Sequence, residues 1–266
     1  MRATAAALTI EVHHSPHSLP VNCVIVSGPT EMILVDTCLL LSDARVLVER
    51  LRASGKRLRR VLLTHAHPDH YFGMDVVREA FGGVEVYARP RVQESLVAWP
   101  ATVRHWAEVL GVYDVPWSLR MPRVLADGPL DLEGHELVPI DLFGTESLYA
   151  TAFYIPSRRT LLAGDLVCNG RHPLTADVGN LPTWISQLQR VRDAYDIETV
   201  IMGHGEPAGP EILDVAIEYL RTKDACSGPG IRVADVARRM KKAHPELSGE
   251  WALWTTCSCE GPRGGP

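Results

Sequence analysis

The stretch VLLTHAHPDH, residues 61–70, sets a short apolar run directly against three histidines and an aspartate. VLL reads as the end of a buried strand, and the polar residues begin where it stops. Extended backbone turns residues i and i+2 to the same side, so His65 and His67 can meet one ion. Asp69 and His70 follow where the chain turns, with Pro68 stiffening the backbone and removing a donor. A carboxylate and an imidazole there can reach a second ion. Imidazole and carboxylate donors together suit zinc, and also iron or manganese. A lone histidine is ordinarily a packing or surface residue. In a chain of 266 residues with 11 histidines, four ligand-type residues inside positions 65–70 are hard to explain by packing.

A pair of ions needs further ligands, and two more strand ends offer them. LLAGDLV (161–167) places Asp165 after an apolar run and a glycine, where a carboxylate can bridge two cations. VIMGHG (200–205) places His204 in the same setting. Each alone is weak evidence. Together, in this order, they specify a dinuclear site.

The rest of the chain supplies a frame. LTIEV (8–12), NCVIVSG (22–28) and MILVDTC (32–38) are strand-like. LSDARVLVERLRASG (41–55) has helical spacing, with Ser42 as the expected N-cap and Gly55 as the stop. A looser region, 89–127, carries Trp99, Trp106 and Trp117 and reads as a helix or two. Strands return at 135–143, 150–156, 160–167 and 199–205, with an amphipathic helix at 182–195 and helical patterns from 209 onward. The alternation predicts an α/β protein. We expect one domain over 1–208, with 209–266 a helical extension packed on it.

Composition narrows the function. Hydrophobic residues make up 46% and charged residues 22%, and the net charge is −5, ordinary for a soluble enzyme and without a basic stripe for nucleic acid. The basic cluster GKRLRR (55–60) reads as the solvated end of a helix. No apolar run approaches the ~18 residues a membrane span requires. The six cysteines are scattered apart from Cys257 and Cys259, a pair that can bind metal, and reduced thiols in the cytoplasm are the expectation. G-x-S-x-G, P-loop and G-x-G-x-x-G patterns are absent, which disfavours covalent and nucleotide-dependent chemistry.

THAHPDH (64–70), the GD of 164–165 and the GH of 203–204 together resemble the H-x-H-x-D-H pattern of the metallo-β-lactamase fold superfamily, over roughly residues 8–205. The resemblance implies a four-layer αβ/βα sandwich with metals at the sheet edges. It implies that His65 and His67 hold one ion, that Asp69, His70 and His204 hold the other, and that Asp165 bridges. It makes Asp36, in LVDTC (34–38), a residue that orients ligand side chains. Members of the family usually carry a further histidine about 19 residues before the bridging aspartate. Aligning AFYIP with the strand that follows puts Glu146 at that position, 19 residues before Asp165. A glutamate there resembles the alkylsulfatase-like branch and can ligate through oxygen; the alternative is a surface turn residue. His172, in GDLVCNGRHP (164–173), is a candidate for the cleft wall, and Tyr71 for a substrate contact. His13, His14 and His17 read as surface residues, though HHSPH (13–17) can also face the cleft mouth.

The implied activity is hydrolysis of a small organic ester, lactone or thioester by a hydroxide held between two divalent ions, most simply zinc, with Asp69 passing a proton to the leaving group. The alternatives are a non-hydrolytic lyase, isomerase or cyclase using the same metals, a di-iron redox protein, and a metal-poor binding protein. The oligomeric state is not set by the sequence.

Overall fold

The computed structural model describes residues 7–17, 20–110, 114–175, 180–228 and 230–258. Cys259, and the side chain of Cys257, lie outside what is described.

Two mixed sheets form the centre. The first has six strands in chain order: β1 (Thr9–His14), β2 (Asn22–Ser27), β3 (Glu31–Val35), β4 (Arg57–Leu62), β5 (Val86–Ala88) and β6 (Arg123–Val124). The second runs β11 (Thr199–Met202), β10 (Thr160–Gly164), β9 (Tyr149–Ile155), β8 (His135–Phe143) and β7 (Leu130–Leu132). Helices α1 (Leu41–Ala53), α2 (Pro68–Tyr71), α3 (Met74–Ala80), α4 (Pro90–Ser95) and α5 (Trp99–Leu110) fall between strands of the first half, and α6 (Leu181–Ala194) lies between β10 and β11. Helices α7 (Glu211–Cys226), α8 (Val233–Ala243) and α9 (Trp251–Ser258) follow the last strand.

Strand periodicity builds the layers. Along β2 and β3, Val24, Val26, Ile33 and Val35 face Phe153, Ile155, Leu162 and Ile201 of the other sheet. Their alternates Cys23, Ile25, Met32 and Leu34 pack outward on Leu47, Leu51, Met74 and Val77 of α1 and α3. On the second sheet Ala152, Leu161, Val200 and Met202 pack outward on α6 and α7 through Trp184, Leu188, Leu213 and Leu220. Both faces of these strands are buried, which is why they read as near-continuous apolar runs rather than alternating ones. The result is helix, sheet, sheet, helix. Val236, Met240 and Leu253 of α8 and α9 belong to the same outer core as β10 and β11, so the C-terminal helices share it.

Two local expectations are corrected. The GKRLRR cluster is not a helix end: α1 stops at Ala53, Gly55 turns at φ +67°, and the arginines enter β4. There Arg57 and Arg59 both reach Glu31 on the adjacent strand β3, Arg59 Nη1 at 2.7 Å, so two of the cluster's four cations share one carboxylate of the neighbouring strand. Ser42 does not cap α1. Asp114 does, accepting from the Ser42 amide at 2.9 Å through its carboxylate and from the Leu41 amide at 3.0 Å through its carbonyl.

The chain crosses between sheets just past β4. Thr64 carbonyl accepts from the Thr151 amide at 2.7 Å, and His65 forms an antiparallel bridge with Ala150. The histidine-rich stretch is thereby held where the two sheets meet. Among the described residues no helix is long and apolar enough to cross a membrane.

Candidate metal centre

The chain delivers its ligand-type side chains from four places. His65 leaves the end of β4. His67 stands at the start of α2 in extended conformation, with Pro68 at the first helical position, where a missing amide hydrogen carries no penalty. One helical turn then carries Asp69 and His70. Glu146 comes from the β8–β9 hairpin loop, closed by the Gly144 amide on Leu148 carbonyl at 2.8 Å. Asp165 and His204 follow the ends of the parallel strands β10 and β11, and the Gly203 amide bonds to Gly164 carbonyl at 2.8 Å, setting the two side by side.

Glycine is required at both of those strand ends. At Gly164, φ is +52°, and an added Cβ would press on Thr64. At Gly203 an added Cβ would collide with Asp165 Oδ1 and with His70 Cε1.

The five residues of the two implied ion sites, the bridging aspartate and Glu146 fall into three overlapping groups that can hold an ion: His65, His67 and Glu146; His65, His70 and Asp165; and Asp69, His70 and His204. Glu146 Oε2 lies 2.9 Å from His67 Nδ1 and 3.5 Å from His65 Nε2. Asp69 Oδ2 lies 3.1 Å from His204 Nε2 and 3.6 Å from His70 Nε2. Asp165 reaches across both sides, with Oδ2 at 3.3 Å from His204 Nε2 and 4.0 Å from His65 Nε2, and Oδ1 at 3.5 Å from His70 Nε2.

Three of the four imidazoles, His65, His70 and His204, are anchored at Nδ1, whereas His67 turns its Nδ1 toward Glu146. Asp36, at φ +62°, accepts from the Thr64 amide and hydroxyl at 2.7 Å each and faces His70 Nδ1 at 2.8 Å. Thr64 Oγ1 also lies 2.9 Å from His65 Nδ1. His204 Nδ1 donates to Pro20 carbonyl at 2.6 Å. Each arrangement leaves the Nε2 edge facing inward, as ligating histidines require.

The donor set fits a cation on its own chemistry. His65 Nε2, His70 Nε2 and Asp165 Oδ1 are buried without an aligned hydrogen bond among the described residues. Buried polar atoms are otherwise nearly always satisfied. Four carboxylates, Asp36, Asp69, Glu146 and Asp165, also converge here with little exposure, an arrangement that positive charge must offset. The titration directions express the same field. Burial pushes the Glu146 carboxyl up, to about 7, against the pull of His67. Burial alone would lower His204, but the Asp165 and Asp69 carboxylates together outweigh it and lift the ring to about 10. Burial would raise Asp69, yet His70 and His204 hold it well below the usual carboxylate range. His65, 0% exposed and beside two other histidines, is lowered by burial first.

The two proposed substrate contacts sit elsewhere. Tyr71 is buried among Phe72, Met74 and Val77, with its ring 5.1 Å from that of Phe72. His172 is 1% exposed, absent from the three groups, and its Nδ1 meets the Tyr219 hydroxyl at 2.9 Å on α7. Trp99 and Trp106 pack half-buried against the outer core of the first sheet, while Trp117 is exposed. Near the N-terminus, His13 is buried, His14 pairs with Asn22 at 2.7 Å, and His17 meets the buried Asp43 at 2.7 Å.

A family model described as the metallo-beta-lactamase superfamily matches residues 18–204. The chain belongs to this superfamily. The metallo-beta-lactamase fold extends to solved structures: a metallo-beta-lactamase from Pontibacter korlensis is 20% identical, with a TM-score of 0.63 over 83% of this chain and 97% of that one. Among curated proteins, the uncharacterized protein YobT of Bacillus subtilis is 32% identical over 34% of this chain and 39% of its own length. A linear primary-alkylsulfatase of a Pseudomonas species is 24% identical over 76% of this chain and 44% of its own length. The chain thus matches less than half the length of these curated relatives. Superfamily membership and the three ligand groups together make this a candidate metal centre.

Thr64 and Asn22 were missed by the sequence reading. Thr64 stood inside the quoted stretch but looked like a strand residue. Asn22 opened an apolar strand, and a buried amide there was the available signal.

Proposed function

We propose that this chain hydrolyses a small organic ester, lactone or thioester with two divalent cations, which we assign as zinc. The observation that carries the reading is the convergence of His65, His67 and Glu146 on one side of Asp165 and of Asp69, His70 and His204 on the other. Four histidine nitrogens and three carboxylates in closed, oxygen-and-nitrogen surroundings suit zinc. Bound there, such cations would supply Lewis acidity and make hydroxide available near neutral pH. The chain's own residues do the remaining work. His65, His67 and Glu146 would hold the first cation, Asp69, His70 and His204 the second, and Asp165 would serve both. Asp69, 3.1 Å from His204 Nε2 and 3.6 Å from His70 Nε2, is the carboxylate we assign to pass a proton to the leaving group. Asp36 and Thr64 fix the rings of His70 and His65 so that little reorganisation is needed at the moment of reaction. Glu146, as an anionic ligand, would make its cation a milder Lewis acid than a third histidine would.

The alkylsulfatase relative adds sulfate esters to the substrates to be tried. We place the protein in a reducing compartment such as the cytoplasm, because its scattered cysteines form no disulfide framework in a chain of this size.

The test is a panel of carboxylic esters, lactones, thioesters and sulfate esters offered to zinc-loaded protein, alongside His67→Ala. Turnover of one class, abolished by the substitution, supports the proposal. Product formed by elimination or isomerisation instead assigns the lyase or isomerase class. Full turnover by His67→Ala contradicts the metal-dependent reading.

A further inference from the structure

Asn22 opens β2 and is 2% exposed, yet it belongs to none of the ligand groups. Its side-chain Nδ2 donates to two carbonyls, Met202 at 2.8 Å and Gly205 at 2.7 Å. Its backbone amide donates to Gly203 carbonyl at 2.8 Å. Just upstream, Pro20 carbonyl accepts from His204 Nδ1 at 2.6 Å. One short segment, 20–22, therefore grips the 202–205 turn by four hydrogen bonds, with His204 inside the grip. The amide orientation follows from its partners: two carbonyls demand the nitrogen, and His14 Nδ1, at 2.7 Å, donates to Oδ1 on the other side. The segment comes from the six-stranded sheet and the turn from the end of β11 in the five-stranded one, so the grip also ties the sheets together at the edge where the ligands meet.

We propose that Asn22 is a positioning residue for the metal ligand His204. By holding the carbonyls on both sides of Gly203–His204, it fixes the turn so that His204 Nε2 faces Asp69 and Asp165, while Pro20 sets the ring tautomer. The inference rests on the two-cation reading above. It makes a distinction that general stability would not: loss of the amide loosens the cation held by Asp69, His70 and His204 and spares the one held by His65, His67 and Glu146.

The experiment titrates chelator-stripped wild type, Asn22→Asp and Asn22→Ser with zinc against a chromophoric competitor. Amide hydrogen exchange across 202–205 is followed in the metal-free proteins. Asn22→Asp keeps the shape but turns two donors into acceptors facing carbonyls; Asn22→Ser keeps one donor. The expected result is two binding steps in the wild type. In Asn22→Asp one of the two affinities falls roughly 10–100-fold while the other changes less than about twofold, with Asn22→Ser intermediate. Exchange rises at 202–205 and not elsewhere. Equal weakening of both ions, no weakening of either, or failure of both variants to fold would each overturn the proposal and assign Asn22 to the fold alone. A wild type that never takes a second ion contradicts the two-cation reading itself, which separates that failure from this one.

Discussion

Asp36 Oδ2 lies 2.8 Å from His70 Nδ1, with neither side chain more than 3% exposed, and the same carboxylate takes the amide and hydroxyl of Thr64. Through Thr64 the contact extends to His65 Nδ1, so one buried carboxylate orients imidazoles in both proposed ion sites. Asp36→Asn tolerates the backbone at φ +62° but cannot accept from three donors at once. We expect roughly 10–100-fold weaker binding of the ion held by His70, measured by competition titration. Wild-type affinity would show that Asp36 serves only the turn.

Glu146 stands where the superfamily resemblance leads one to expect a third histidine, and its carboxyl is pushed up to about 7 by burial. An anion kept partly protonated in the empty protein should give up that proton when a cation arrives. Glu146→Ala should weaken one ion selectively and reduce the protons released on zinc binding at pH 7, read by calorimetry in buffers of different ionisation heat. Unchanged stoichiometry, proton count and rate would return Glu146 to a role in the loop.

Gly203 has no room for a side chain, because its Cβ would collide with Asp165 Oδ1 and His70 Cε1. The collision falls on two ligands rather than on the core. Gly203→Ala should therefore cost about 1–3 kcal/mol of stability, as overpacking does, and lose metal and activity together while the far-ultraviolet circular dichroism is retained. Full metal content in a folded variant would contradict the placement of these two side chains.

The metal-free protein should respond to alkaline pH in a defined direction. Burial tends to lower His204, but the Asp165 and Asp69 carboxylates together raise it from 6.5 to about 10. A folded-state value above the unfolded one stabilises fully below the unfolded value, and the contribution is lost as pH rises through the folded value. The melting temperature of metal-free protein should thus fall between pH 7 and 10 as this contribution is withdrawn. Zinc, which replaces the proton as the positive charge, should flatten that slope. A melting temperature that rises over the same range would contradict the pairing of His204 with Asp165.

The sequence carried the centre better than its surroundings. His65, Asp165 and His204 were legible because each follows an apolar strand, and His67, Asp69 and His70 because they crowd the turn directly behind His65. Glu146 was reached only by counting residues from Asp165, since nothing local marks a hairpin loop that dips into a buried site. Tyr71 and His172 were read as lining a cleft because they neighbour ligands in sequence, but a helical turn points Tyr71 into the core and α7 captures His172 through Tyr219. The GKRLRR cluster misled for a related reason: Glu31, which pairs with two of its arginines, lies on another strand. Contacts made by long-range partners, such as Asp114 with α1 or Asn22 with the 202–205 turn, leave no periodic trace in the chain.

The central claim is that two cations share this centre, and elemental analysis tests it most directly. Protein stripped by chelator, reloaded with zinc and freed of excess by gel filtration should carry two equivalents per chain, and His67→Ala treated identically should carry at most one. A wild type holding one equivalent or none, or a His67→Ala variant that keeps both, would contradict it.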